Sequence, residues 1–309
     1  MKKKVLCSIM LLGVIGLSAC GNDNDEISSV SNPDETSVLV NQLSSLNDSL
    51  MSTKGPTRAF LKPGWQRRGA IIAGDIGGCV GGGRAGFYIG GLFGPQAAGA
   101  GAVIGAIIGG ACGSATAYEA TRAVASDDFA PLKDRAICAY ENSIIQEVDF
   151  DEYAPKEIIV DYPTKDLNIT QMGAKHNYVL KLVRDHQIVL DENSSCLSPE
   201  ERYVLESEEF NSKVDDILTQ VRAGYVSGKK MQFEGADVTT KVMNLFYDIL
   251  AQYPTKINDV QFIINKYIEV IKASNEIDEN DKNAIYMGLS VAASSTEFWE
   301  EELSPILEK

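Results

Sequence analysis

Histidine is nearly missing from this chain: two in 309 residues, His176 and His186. Ten positions apart on one expected helix, they stand about 15 Å from each other and cannot share a metal ion. No H-E-x-x-H and no G-x-S-x-G occurs, which removes the usual zinc-peptidase and serine-hydrolase signatures. Positive charge is also short, with 28 Lys and Arg against 43 Asp and Glu and a formal net charge of −15. That balance excludes nucleic acid and electrostatic adsorption to anionic lipid. Aromatics make up only 8%, yet the hydrophobic fraction of 44% is ordinary. The chain is therefore neither wholly disordered nor a polytopic membrane protein. Finally, residues 85–118 carry no charged side chain at all.

Glycine is what the chain has instead. Between Gly69 and Ala117, 17 of 49 residues are glycine. Gly74, Gly78, Gly82, Gly86 and Gly90 fall four apart, and Gly94 continues the row; Gly101, Gly105, Gly109 and Gly113 repeat the spacing and Ala117 extends it. Residues four apart share a helix face, so each half presents a groove without side chains, and two such grooves can meet backbone to backbone. Gly94-Pro95-Gln96 separates the halves with a helix breaker. The expectation is a glycine-zipper helical hairpin. Residues 97–118 give 22 uncharged positions, about the length of a bilayer span. The first arm carries Asp75 and Arg84, each costing roughly 2.5–3.5 kcal/mol at a bilayer centre. Nine residues apart, the two lie on opposite faces and cannot pair within one helix.

Literal matches to cofactor motifs fail on context. Gly81 to Gly86 fits G-x-G-x-x-G, but it lies in a glycine tract with no preceding strand and no acid near position 106. Residues 224–230 lack the P-loop spacing, and Asp278, Asn280 and Lys282 fail the calcium-loop pattern. His176 falls on the apolar face with Val179 and Leu180 and reads as a hydrogen-bonded core residue. No metal, cofactor, small-molecule substrate or catalytic residue is identified, and no enzyme is expected.

Lys2, Lys3 and Lys4 precede an apolar run from Val5 to Leu17, too short to span as a mature helix. It ends Leu17-Ser18-Ala19-Cys20, which resembles the lipobox of bacterial lipoprotein precursors. The resemblance implies cleavage before Cys20, acylation of that residue and a membrane partner reached through the lipid. Cleavage would leave 25 basic against 43 acidic residues, or −18. Asp23, Asp25 and Glu26 then resemble the acidic surface-export signal of Bacteroidetes lipoproteins, which implies display outside the outer membrane. The same residues would equally make a solvated tether. Residues 27–63 read as linker, with Leu39, Leu43, Leu46 and Leu50 at the spacing of a short amphipathic helix.

Four further cysteines remain in the mature chain. Folding about Pro95/Gln96 places Cys79 opposite Cys112, which would leave Cys138 to pair with Cys196. An exported protein permits disulfides, but four cysteines allow three connectivities, and free buried thiols stay open as the alternative. Beyond Ala117 the pattern predicts helices over 130–148, 172–190, from Ser198 through Val221, 238–253, 257–271 and 278–303, with a short extended piece at Glu157–Val160. Ser198-Pro199-Glu200-Glu201 is a helix start, and the apolar 257–271 segment is the expected centre of the bundle.

The fold class is therefore mainly α: a signal over 1–19, a lipidated acidic tether over 20–63, the glycine hairpin over 64–126 and a multi-helix bundle over 127–309. Two functions stay open. One is an outer-membrane lipoprotein with a non-enzymatic binding or structural role, whose zipper packs within itself or with a second copy. The other is a membrane-active protein, resembling glycine-zipper antibacterial toxins, whose hairpin enters a target bilayer.

Overall fold

A computed structural model describes residues 37–53, 63–121, 128–185, 196–226, 232–233, 235–252 and 256–307. They belong to one compact unit, Thr36–Lys309. Its elements are α1 (Val38–Thr53), α2 (Pro63–Gly91), α3 (Pro95–Thr121), α4 (Ala130–Ile145), a 3-10 turn (Phe150–Tyr153), α5 (Leu167–Thr170), α6 (Met172–Asp185), α7 (Pro199–Glu206), α8 (Glu208–Val226), α9 (Val238–Gln252), α10 (Ile257–Ala273) and α11 (Glu279–Leu307). No strand occurs among the described residues. The protein is mainly helical.

The two glycine-rich helices stand at the middle of the bundle. α2 packs on α3, α7, α8, α9 and α11, while α3 packs on α2, α4, α6, α7 and α8. The hairpin is thus sheathed by the helices that the sequence assigns to a separate following region. Its apolar side chains explain the arrangement: Ile71, Ile72, Ile76, Ile104, Ile107 and Ile108 are buried, and only surrounding helices can cover them. α10, expected at the centre, lies outside, against α1, α9 and α11, with Phe262 exposed on its outer face. α1 is not a linker helix. Leu39, Leu43 and Leu50 are buried, and Asn47 is clamped between the Leu245 carbonyl (2.9 Å) and the Tyr267 hydroxyl (2.9 Å).

Local chemistry sets the breaks. At α7, Ser198 Oγ accepts from the Glu201 amide and Glu201 Oε2 accepts from the Ser198 amide, a complete capping box. The single helix expected from Ser198 through Val221 divides at Ser207, whose extended backbone ends α7 and whose Oγ accepts from Phe210 N to start α8. The extended piece near Glu157–Val160 forms no ladder. Glu297 of α11 accepts from the amides of Lys156, Glu157 and Ile158, while Gln261 and Asn265 of α10 take those of Ile159 and Asp161. Side chains there satisfy the backbone groups that a neighbouring strand would otherwise take.

Candidate functional site

The hairpin interface is built from backbone. A Cβ placed on Gly78 would lie 2.0 Å from the Gly109 carbonyl oxygen; on Gly82, 2.2 Å from that of Gly105; on Gly86, 2.0 Å from that of Gly101; and on Gly74, 2.7 Å from that of Gly113. The reverse substitutions meet the same wall: Gly101, Gly105, Gly109 and Gly113 each face the partner carbonyl at 2.1–2.2 Å. Gly90 completes the row against Ala97. Carbonyls this close leave room for a hydrogen and nothing larger, so the glycines are obligatory there.

These pairs fix the register. The helices run antiparallel about a centre between Phe93 and Gly94, where Leu92, Phe93 and Gly94 donate to the carbonyls of Ile89, Gly90 and Gly91 and Gly94 takes φ +113. Pro95 is not the middle of the turn. It opens α3, where its fixed φ suits a first helical residue. The register built on Pro95/Gln96 is therefore two positions off centre, and the facing of Cys79 with Cys112 fails with it. Cys79, Cys112, Cys138 and Cys196 are all free thiols, the first two buried, the third half-buried and the fourth exposed. Burial raises the Cys79 thiol far above its ordinary value and pushes that of Cys112 up to about 12.

Sequence reasoning weighed Asp75 and His176 separately, and the fold brings them together. Both have no exposed surface. Asp75 projects from α2 and accepts at Oδ2 from Ser295 Oγ of α11. His176 Nε2 of α6 lies 3.9 Å from Asp75 Oδ1, beyond hydrogen-bond reach, and neither atom has another partner. On the far side of the ring, His176 Nδ1 meets Asn177 Oδ1 at 3.2 Å, while Asn177 Nδ2 donates to the Ser294 carbonyl at 3.1 Å. Trp299 Nε1 donates to Ser114 Oγ at 3.2 Å, closing the cluster from α3 and α11. Gly110 makes the approach possible, since a Cβ there would lie 3.0 Å from His176 Cδ2.

Burial governs the ionisation of both. It raises the Asp75 carboxyl from 3.8 to about 7, with Ser114, Ser295 and Trp299 pulling the other way. It pushes the His176 imidazole down to about 4, against the contacts with Asn177 and Gly110. Between about pH 4 and 7 the carboxyl is thus protonated and the imidazole uncharged. Aspartate, histidine and serine together can do general acid–base chemistry where substrate reaches them. Here the cavities of about 460, 230 and 440 Å³ are lined by none of these side chains. The cluster is sealed inside the fold.

Arg84, the second charge of the first arm, pairs outward with Asp237 of α9's approach (2.8 Å) and Asp281 of α11 (3.5 Å). It stands between two of those cavities. The 460 Å³ cavity has Gly77 and Gly81 for a floor, with Lys213, Asp216 and Phe233 on its sides. The 230 Å³ cavity is bounded by Phe87, Tyr88, Asp166, Asp278 and Asn283. No group of three or more His, Cys, Asp or Glu positioned to hold a metal occurs among the described residues. Cys20, Asp23, Asp25, Glu26 and His186 lie outside the described residues.

No protein-family model matches this sequence, and no curated protein or solved structure matches it either. The polar partners of Asp75 were the part missed in the sequence. Their signal is the run Ser290 to Thr296, small hydroxyl residues set into an otherwise apolar helix face. Such residues mark close packing around a buried polar group.

Proposed function

We propose that this chain is a lipid-anchored protein of the bacterial envelope, held by acyl chains on Cys20, whose helical bundle is a non-enzymatic binding or structural module. The observation that carries the reading is that both glycine rows are consumed against each other at the centre of the bundle. The zipper then acts as the keel of the fold. The second copy expected through the glycine grooves finds no free groove there, so any self-association uses another surface. Asp75, His176 and Ser295 are buried and line none of the three cavities described, so the cluster is read as part of the packing of the fold. Asp23, Asp25 and Glu26 are read as directing the protein to the cell exterior.

Helix Pro95–Ala120 is long and apolar enough to cross a membrane, but 78% of its apolar window is buried by the protein itself. This supports a packed hairpin over an inserted one. Metabolic labelling with a fatty-acid analogue tests the anchor: label should enter the wild-type chain and be lost in the Cys20→Ala variant, and an unlabelled wild-type chain would overturn the reading. Dye release from liposomes by a chain starting at Gly21 tests the toxin alternative. No release is expected; release would make the hairpin a membrane-inserting device.

A further inference from the structure

Among the described residues, six of the eleven exposed large apolar side chains share one end of the bundle. Val38, Tyr88, Leu92, Phe93, Leu167 and Tyr203 are all exposed, with Leu92 at 74% and Tyr88 at 64%. Named contacts put them together. Arg84 reaches Asp281 in the first turn of α11, so α11 begins beside the last turns of α2. Ser37 donates to Glu276, just ahead of α11, so α1 with Val38 begins at that end as well. Asp166, Asn168 and Ile169 share a cavity with Phe87 and Tyr88, which brings Leu167 alongside. The Phe93 ring lies edge-on to Tyr203 at 4.6 Å.

We propose that this end of the bundle rests on the lipid bilayer that holds the acyl chains of Cys20, with Leu92 and Phe93 at the hairpin tip entering the boundary between headgroups and acyl chains. The inference rests on the lipid-anchor reading and adds an orientation to it. What favours lipid as the occupant is where the described chain begins. Ser37 stands at this same end, 17 residues from Cys20, a stretch that extends to roughly 60 Å at most. The described chain therefore starts, on the side toward Cys20 in sequence, at an end that presents apolar surface. The hairpin segment 85–95 itself carries no charge and bears Phe87, Tyr88 and Phe93. Glu206, Glu208 and Glu209 border the cavity under Leu92 and limit how deep the tip can go. They also favour a zwitterionic over an anionic lipid surface.

The test uses the full mature chain, lipidated and reconstituted into phosphatidylcholine vesicles. The vesicles contain a phospholipid with a photoactivatable diazirine near the glycerol end of its acyl chain. After irradiation and digestion, mass spectrometry locates the adducts. They should concentrate on the peptide spanning 85–95 and fall at least fivefold in a Leu92→Ser, Phe93→Ser variant. Both side chains are exposed, so the variant keeps its helix content by circular dichroism. Adducts spread evenly over the bundle, or absence of adducts from 85–95, would each overturn the inference. The same spectra report Cys20. An acylated Cys20 with an unlabelled tip sinks the orientation alone; an unacylated Cys20 sinks the anchor reading and this one with it.

Discussion

At Gly78 a single methyl group decides whether the hairpin can close. Its Cβ would sit 2.0 Å from a backbone carbonyl that cannot swing aside as a side chain would. Gly78→Ala should destabilise the protein by at least 2–3 kcal/mol, at the upper end of what overpacking does. Gly99, also helical, has nothing within 4 Å of such a Cβ. Gly99→Ala should therefore stabilise by roughly 0.5–1 kcal/mol through helix propensity alone. Urea unfolding of the two variants side by side measures the contrast. Equal effects at the two positions would refute the interlocked register. Asp75 and His176 give a second expectation. A carboxyl raised by burial loses stability as pH climbs through the interval from its ordinary value to its folded one. An imidazole lowered by burial loses stability as pH falls from its ordinary value to its folded one. Between about pH 4 and 6.5, folded and unfolded chains each hold one proton on the pair, on Asp75 when folded and on His176 when unfolded. The pair's contribution is then flat. Relative to wild type, His176→Gln should lose about 3 kcal/mol between pH 4 and 6.5, because the folded Asp75 carboxyl keeps a proton that the unfolded one has released, and Asp75→Asn should gain about 3 kcal/mol over the same interval. Stability–pH curves of the three proteins with parallel slopes would contradict the pairing.

At the scale of elements, α1 separates a tether from a bundle member. Leu43 has no exposed surface and Asn47 is bonded to α9 and α10. Leu43→Ala should lower stability by about 2–4 kcal/mol in chemical denaturation, whereas a helix on a loose linker would register nothing. The leucine spacing was readable from sequence; its docking was not, because spacing shows that a face is apolar and leaves open which element covers it. The same limit misplaced α10. Apolar content ranked it first, but the glycine arms, poor in side-chain volume, need the centre because backbone approach must be protected on all sides. Glycine spacing pointed to the two faces that meet across the hairpin but not to which glycine opposes which. The turn was misjudged because proline was read as the bend, although its geometry opens the next helix. Asp75 and His176 stayed apart in the reading because they meet only through tertiary packing of α2, α6 and α11, which no local spacing encodes.

The unit Thr36–Lys309 is a case of helices around the hairpin, and its thiols report how tightly it is closed. Cys196 is exposed, Cys138 half-buried, and Cys79 and Cys112 are buried. A thiol-reactive chromophore added to the native mature protein, acylated at Cys20, should modify Cys196 promptly. Cys79 and Cys112 should react only at the rate of unfolding. Immediate reaction of Cys79 or Cys112 would mean that the case opens locally around the hairpin. Reductant should leave the melting temperature unchanged, because no disulfide occurs among the described residues.

Order of synthesis gives the closure of this case a timetable. α2 and α3 are joined by a three-residue turn and can pair as soon as both have emerged, whereas Asp75 waits for Ser295 and Ser37 waits for Glu276, 220 and 239 residues away. Contacts so distant along the chain form late and slow the approach to the native state. Under the export proposed above, a chain threaded end-first through a secretion channel would present its final lock only when the last helix arrives, and the delay would keep it unfolded for passage.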